Sequence, residues 1–461
     1  MSEKEIETYF FSSNDDREIE KFVGIEAFAT SEIKGIKGEY KKNFKDFIVK
    51  EIDKNGKILN IKEDYTISTF SEELKDRYTT FNLVKVNKDT FEAIRKISNA
   101  LKVPYQHFNY SGLKDKHSIS VQQISIKGNY IEQLKRLKIN DIFIRSIHPT
   151  RKPIKLGSHL GNNFTIVIRN LASNKNFNNY MEKIINLLNE FGFPNYFGLQ
   201  RFGTFRPNSH IVGRNMLEGD FKKVFEEFVL TTYSTESSES KLVRRELRTT
   251  GDLERAFNEF PKNLNYERNM IDYLMNNPED YEGTIKTLPS DLIKLLISSF
   301  QSYLFNRMVS KRVEEGFPLF KPVSGDVISI LDDYNGNITP VKYIYGNSYD
   351  NYLNKALNLN RATIVVPIIG INTNLDEYPL MKLLFEEITK QEKINKEIFN
   401  SNIMLETEFK GSIRALTVKP TQLKLLEITN DDLNPGKYKI KIEFSLQRGS
   451  YATMLLRELM K

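Results

Sequence analysis

Hydrophobic positions along the chain change period several times, and each change marks an element. Phe47 to Ile52 reads as a strand, with Phe47 and Glu51 at i and i+4 on one face. Thr80 to Val86 reads as a second strand. Asp89 then opens a helix, with Glu92 at capping-box spacing and an apolar stripe of Phe91, Ile94, Ile97 and Leu101. Phe108 to Ser111 leads into a loop at Gly112, where a glycine allows a sharp turn. Ile119 to Ile126 leaves that loop as a strand. Its apolar positions change parity at Gln122-Gln123, which predicts a bulge. Asn163 to Arg169 alternates again, and Met181, Ile184, Ile185 and Leu188 mark a helix that stops near Gly192. The strictest alternation lies near the end, where Tyr438, Ile440, Ile442, Phe444 and Leu446 are interleaved with polar residues. Arg448-Gly449-Ser450 turns that strand into a last helix, with Ser450 as its expected N-cap.

The ends and the middle read differently. Residues 1 to about 20 are polar and are expected to be loosely ordered. From 215 to 411 helical patterns dominate, notably Asp291 to Val313 after Leu288-Pro289-Ser290. Strand-rich flanks around a helical middle predict an insertion. Residues 1–214 and 412–461 would form one discontinuous domain, and 215–411 the inserted one. A chain of 461 residues has room for this arrangement.

Composition narrows the chemistry. A net charge of +7 permits an anionic partner such as RNA without demanding one. The absence of cysteine excludes disulfides and thiolate metal sites. The five histidines show no paired metal-ligand spacing, so no metal centre is expected. No apolar run approaches the roughly 18 residues that span a bilayer. Glu3, Glu5 and Glu7 do not suit a secretory signal, so a soluble cytoplasmic protein is the expectation.

Four separated segments carry the candidate chemistry. The first, Gly112-Leu113-Lys114-Asp115-Lys116-His117, presents one carboxylate between two lysines and is followed by Gln122-Gln123. Alone it describes a solvated turn. The second is Asn195-Tyr196-Phe197-Gly198-Leu199-Gln200-Arg201-Phe202-Gly203. The third is Ser299-Phe300-Gln301-Ser302-Tyr303-Leu304-Phe305-Asn306, within a longer helical stretch. The fourth runs from Phe444 through Arg448-Gly449-Ser450-Tyr451 to Leu459. Together, and in this order, they resemble the TruD family of RNA pseudouridine synthases. Asp46-Phe47-Ile48-Val49-Lys50-Glu51-Ile52 also resembles that family's opening strand. The resemblance runs from about Asp46 to the C-terminus, and length and composition suit an archaeal member.

The resemblance implies an α+β fold: a catalytic domain with a mixed, mostly antiparallel sheet flanked by helices, carrying a large inserted α/β domain. It implies conversion of uridine to pseudouridine in tRNA, at uridine 13 of the D-arm, with no cofactor and no metal. Asp115 would be the nucleophile, attacking C6 of the base or C1′ of the ribose. Lys114 and Lys116 would face phosphates and keep Asp115 ionised. Asn195 and Phe197 match substrate-pocket positions, one for the polar edge of a flipped base and one for its face. Tyr451 matches an aromatic of that pocket. Phe47 and Glu51 match positions bordering the site, with Lys41 an RNA contact upstream. Arg201 would meet a phosphate or a carboxylate, and Arg457 is the candidate ion-pair partner of Asp115. Phe300 and Leu304 are read as core, and Gln301 and Asn306 as structural hydrogen-bonders. A monomer acting on tRNA, away from membranes, completes the expectation.

Two rivals remain open on the residues. One is a non-catalytic RNA-binding or RNA-folding protein on the same fold, against which the intact Asp115 argues. The other is a different RNA-modifying enzyme, such as a methyltransferase, but no glycine-rich cofactor loop or phosphate loop is found.

Overall fold

The computed structural model describes residues 8–9, 16–71, 73, 75–172, 177–203, 205–332, 336–346, 348–401 and 409–461. The chain divides into two compact units. A flanking unit contains 29–193 and 418–461, and a middle unit contains 1–28 and 194–417. The expected boundaries at 214/215 and 411/412 fall inside the middle unit, which also takes in the N-terminus. Hydrogen bonding explains this. The Asn306 side chain donates to the carbonyls of Val23 and Phe197, and Ser310 Oγ donates to the carbonyl of Gly24. Of the N-terminal stretch expected to be loosely ordered, Asp16–Phe22 is a helix and Thr8–Tyr9 pairs in parallel with Thr232–Tyr233. Residues 1–7 and 10–15 lie outside the described residues.

The flanking unit is built on a nine-stranded sheet. Its strands are β1 (Glu39–Tyr40), β2 (Phe47–Ile52), β3 (Tyr78–Val86), β4 (Phe108–Tyr110), β5 (Ile119–Lys127), β6 (Ile142–Thr150), β7 (Gly161–Leu171), β8 (Thr421–Asn430) and β9 (Tyr438–Gln447). The order is β8-β9-β7-β2-β5-β3-β6, with β1 on β7 and β4 on β5. All pairings are antiparallel except β2 with β5. The sheet is therefore mixed and mostly antiparallel, as expected. The last strand pairs with β7, Phe444 opposite Phe164 and Ile442 opposite Ile166. One side of β9 (Ile440, Ile442, Phe444, Leu446) is buried, which its alternation demanded.

Helices cover the sheet. The helix α1 (Thr90–Leu101) starts where Asp89 accepts a hydrogen bond from the Glu92 amide, at 2.7 Å. It buries Ala93, Ile94 and Ile97 against Phe81, Leu83, Ile124 and Ile126. Phe91 is not part of that core. It is 41% exposed and packs beside Tyr105 and Tyr110 instead. The helix α2 (Phe177–Phe191) buries all four predicted residues, each worth roughly 1.5–3 kcal/mol. Asn189 fastens α2 to β8 through both the N–H and the carbonyl of Leu423. The last helix, α3 (Ala452–Met460), begins two residues after Ser450, and no side chain caps it.

The predicted bulge at Gln122-Gln123 is absent. Ile119 through Lys127 pair with β3 without interruption. The parity change has another cause: β5 is covered on both faces. Val121 packs with Leu59 and Val84 on one side, while Ile124 and Ile126 enter the α1 core on the other.

The middle unit is organised around the long helix Ser290–Glu314. Its N-terminal part closes an apolar core with Val212, Met216, Val224, Val243 and Ile271. Its later turns bury Phe300, Leu304 and Phe305. A four-stranded antiparallel sheet, in the order Ile338–Ile344, Val327–Leu331, Ala362–Ile368 and Ser412–Ala415, completes the unit.

Candidate active site

The parallel register of β2 and β5, with Ile48 opposite Ile119, decides where the Asp115 loop lies. Residues 111–118 enter β5 at the end of the sheet where β2 begins, so the loop arrives beside Phe47. Lys41, held in the left-handed backbone region at φ 58°, joins the two. Its Nζ stands 2.6 Å from Asp115 Oδ2 and 4.2 Å from the centre of the Phe47 ring. Phe47 itself is buried and meets Phe164 edge to face. The Asp115 side chain keeps 48% of its surface exposed. It is thus a reachable carboxylate with a cation beside it. The expected partner, Arg457, does not hold this place. It lies largely buried on α3 next to Glu458, which accepts from the amides of Ala29 and Thr30.

Beneath Asp115 the loop is fixed by buried polar side chains. The Lys114 and Glu51 side chains are only 3% and 2% exposed, and their charged atoms are 2.8 Å apart. Glu51 also accepts from Ser111 Oγ at 2.7 Å and from the Gln123 amide at 3.1 Å. Lys114 therefore does not face phosphates, and this corrects its expected role. Its ammonium is committed to Glu51, which sits on a central strand and anchors the loop. Thr90 Oγ1 accepts from the Lys114 amide and donates to Gln122 Oε1, while Gln122 Nε2 donates to the carbonyl of Gly112. Gly112 has no left-handed backbone. A Cβ there would stand 3.2 Å from Cε1 of His159, so close approach rather than turn geometry favours glycine. Burial and the neighbouring Lys114 hold the His159 ring below its ordinary pKa.

Behind the nucleophile candidate is a residue that sequence reasoning missed. Lys85 is wholly buried on β3 and donates to the carbonyls of Lys88 at 2.6 Å and Asp115 at 2.8 Å. Ser118 Oγ donates to the same Asp115 carbonyl at 2.7 Å. Burial lowers the Lys85 pKa to about 8, against the opposing pull of Asp115 and Asp89. The one signal in the sequence was a lysine inside an otherwise apolar strand end, Leu83-Val84-Lys85-Val86.

The remaining candidates lie in two places. Tyr451, half-buried, directly precedes α3 in the flanking unit. Asn195, Phe197 and Arg201 form a cluster in the middle unit. Arg414 binds the Asn195 carbonyl at 2.8 Å and its Oδ1 at 2.7 Å, and Asn195 Nδ2 donates to the carbonyl of Ala415. The guanidinium of Arg414 lies 4.2 Å from the Phe197 ring centre, and Phe305 meets the ring edge to face. Arg201 donates to Ser302 Oγ, and Ser299 Oγ binds the Arg201 carbonyl. Tyr196 and Phe202 are core aromatics. Asn306 is a structural hydrogen-bonder, as read, joining Phe197 to Val23; Gln301 binds the carbonyl of Ile369. Gly203 takes a positive φ, and a Cβ there would collide with the Arg206 carbonyl. Among the described residues no cluster of metal-ligating side chains occurs. None of the described helices is long and apolar enough to cross a membrane.

Comparison with known sequences settles the kinship of this arrangement. The sequence model of the family described as tRNA pseudouridine synthase D (TruD) matches residues 22–459. The chain belongs to the TruD family. Among its TruD relatives is a protein of Methanosarcina mazei named "Probable tRNA pseudouridine synthase D". It is 32% identical over 448 residues, covering 96% of this chain and 98% of the relative. A relative of the same name from Thermococcus sibiricus is 31% identical over 94% of this chain and 96% of its own length. The crystal structure of the TruD protein from Methanosarcina mazei superposes with a TM-score of 0.78. It shares 31% identity and covers 96% of this chain and 98% of that one.

Proposed function

We propose that this TruD-family chain is an isomerase that converts uridine to pseudouridine in tRNA, with Asp115 as its nucleophile. The observation that carries the reading is the contrast at the loop. Asp115 is 48% exposed, while Lys114 and Glu51 beneath it are buried and paired. A carboxylate presented from a rigid support suits covalent attack, which needs one atom held within contact distance of its target. Attack at C6 of the base or at C1′ of the ribose both remain compatible with it. Asp115 bonds to one of these carbons, the N1–C1′ bond breaks, the base turns, C5 joins C1′, the bond to Asp115 breaks and frees the carboxylate, and the C5 proton is lost as N1 gains one. Electrons balance without an oxidant, so no cofactor or metal is required by the chemistry.

The substrate proposed is uridine 13 of the D-arm, flipped out of its stack. Phe47 and Tyr451 of the flanking unit, and Asn195 and Phe197 of the middle unit, are proposed RNA-binding residues, with Lys41 a further RNA contact. In this reading the flanking unit is the catalytic domain and the middle unit the inserted one. The enzyme works as a soluble cytoplasmic monomer.

The test uses tRNA transcripts carrying tritium at C5 of uridine, incubated with the protein alone. Release of tritium, and a carbodiimide-dependent stop at position 13, are expected. Asp115→Asn should release none while binding tRNA within about tenfold of wild type, since phosphate contacts dominate affinity. Turnover by that variant near the wild-type rate removes Asp115 as nucleophile. Binding without release by the unaltered protein favours a non-catalytic RNA-binding protein.

A further inference from the structure

We propose that Lys85 is a positioning residue for Asp115: its buried ammonium ties the Asp115 carbonyl to the Lys88 carbonyl and so fixes where the carboxylate leaves the loop. This rests on the reading of Asp115 as nucleophile and adds a residue to its machinery.

Three observations carry it. First, Lys85 is fully buried, a rare place for a lysine, and its Nζ spans two backbone carbonyls at 2.6 and 2.8 Å. One belongs to the candidate nucleophile and the other to the turn between β3 and α1. The amine therefore links the C-terminal end of the hairpin loop to the sheet–helix junction. Second, the Asp115 carbonyl takes a second donor, Ser118 Oγ at 2.7 Å. With both lone pairs of that oxygen occupied, the plane of the Asp115 peptide cannot rotate without breaking a hydrogen bond. Third, the loop on the N-terminal side is already anchored through Lys114 to Glu51 and Thr90. Lys85 and Ser118 supply the missing anchor at Asp115 itself. The side chain then has only its own rotamers left to search. Burial also pulls the Lys85 pKa down to about 8, which marks the desolvation this arrangement tolerates.

Lys85 cannot touch substrate from a fully buried position, so its effect must pass through Asp115. The full-length variants Lys85→Met, Ser118→Ala and Asp115→Asn should be compared by single-turnover rate at saturating tRNA, by tRNA Kd, and by thermal melting. Misplacing a reacting group by a fraction of its reach costs rate rather than binding. Lys85→Met should therefore lose at least about tenfold in rate with Kd within about twofold. Ser118→Ala should lose rate in the same direction but less. If Lys85→Met does not fold, Ser118→Ala decides: a reduced rate with unchanged Kd supports the clamp, and a wild-type rate overturns it. A folded Lys85→Met at the wild-type rate overturns it too, as does an equal loss of rate and binding. If Asp115→Asn is inactive while Lys85→Met is not impaired, only this inference falls. If Asp115→Asn still turns over, the nucleophile reading falls first and takes the clamp with it.

Discussion

Replacing Glu51 by Gln should destabilise the flanking unit far more than an ordinary charge change. The substitution keeps shape and volume and changes one thing: the carboxylate that faces Lys114 becomes a neutral amide. Glu51 accepts three hydrogen bonds, from Lys114 Nζ, Ser111 Oγ and the Gln123 amide. An amide has one accepting oxygen and one donating nitrogen. Whichever way it turns, a donor faces a donor, and the Lys114 ammonium stays buried without a counter-charge. Removing one member of a buried pair costs about 3–5 kcal/mol, against about 0–1 kcal/mol for an exposed pair. The pair here is 2–3% exposed, so the larger range applies. The chain has no tryptophan, so circular dichroism in urea is the global probe, and hydrogen exchange of the Phe47–Ile52 amides assigns the loss to β2. The double variant Glu51→Leu/Lys114→Met should recover much of the stability, because a matched apolar pair replaces two desolvated charges. It should not recover turnover, because the loop has lost its anchor. A cost below about 1 kcal/mol for Glu51→Gln would show that the pair is not desolvated. A fully active double variant would refute the anchoring role.

Other outcomes follow from the same geometry. Phe197→Ala should lower turnover much more than tRNA affinity, as loss of base stacking is worth roughly 1–3 kcal/mol while phosphate contacts persist; equal losses in both would place Phe197 outside the pocket. His210 is buried between Tyr303, Phe22 and Phe202, and desolvation lowers its pKa to about 3. Its folded pKa lies below the unfolded value near 6.5, so its contribution is complete above that value. It is lost as pH falls toward 3, by up to about 1.4 kcal/mol per pH unit. His210→Phe should flatten the acid limb of stability relative to wild type, and identical pH profiles for the two proteins would contradict this. Binding of tRNA should weaken steeply between low and physiological salt, through counterion release. A flat response in a filter-binding titration would argue against RNA as the ligand.

Much of the framework was legible because many elements bury only one face. The alternation of Tyr438–Leu446 and the stripe of Met181, Ile184, Ile185 and Leu188 each have a single buried side, and both appear as read. Where that condition fails, pattern misleads. β5 is covered on both faces, so its apolar residues switch sides and imitate a bulge. Phe91 fits the helical stripe by spacing but lies at its edge, where Tyr105 and Tyr110 give it an exposed aromatic seat. The candidates Asp115, Phe47 and Lys41, which the structure brings together, were named from the sequence. Of the support beneath them only Glu51 was named from the sequence, because Lys85, Thr90 and Gln122 come from two other strands and one helix. Only the register of the sheet brings them under a single loop.

The lysines make the point most sharply, because one residue type does different work at each position. Lys41 is 23% exposed and meets an Asp115 that is itself 48% exposed. Such a pair is worth at most about 1 kcal/mol and is readily exchanged, which suits the role proposed for Asp115. Lys114 is buried against Glu51 on the neighbouring strand and cannot be exchanged without a large penalty. Lys85 is buried against carbonyls alone and fixes backbone. Exposure, more than sequence neighbourhood, therefore separates the cation that can release Asp115 from the cations that hold it. The Lys-Asp-Lys triplet suggested two equivalent flanking charges. Burial makes Lys114 part of the foundation and leaves the adjustable contact to Lys41, seventy-four residues earlier in the chain.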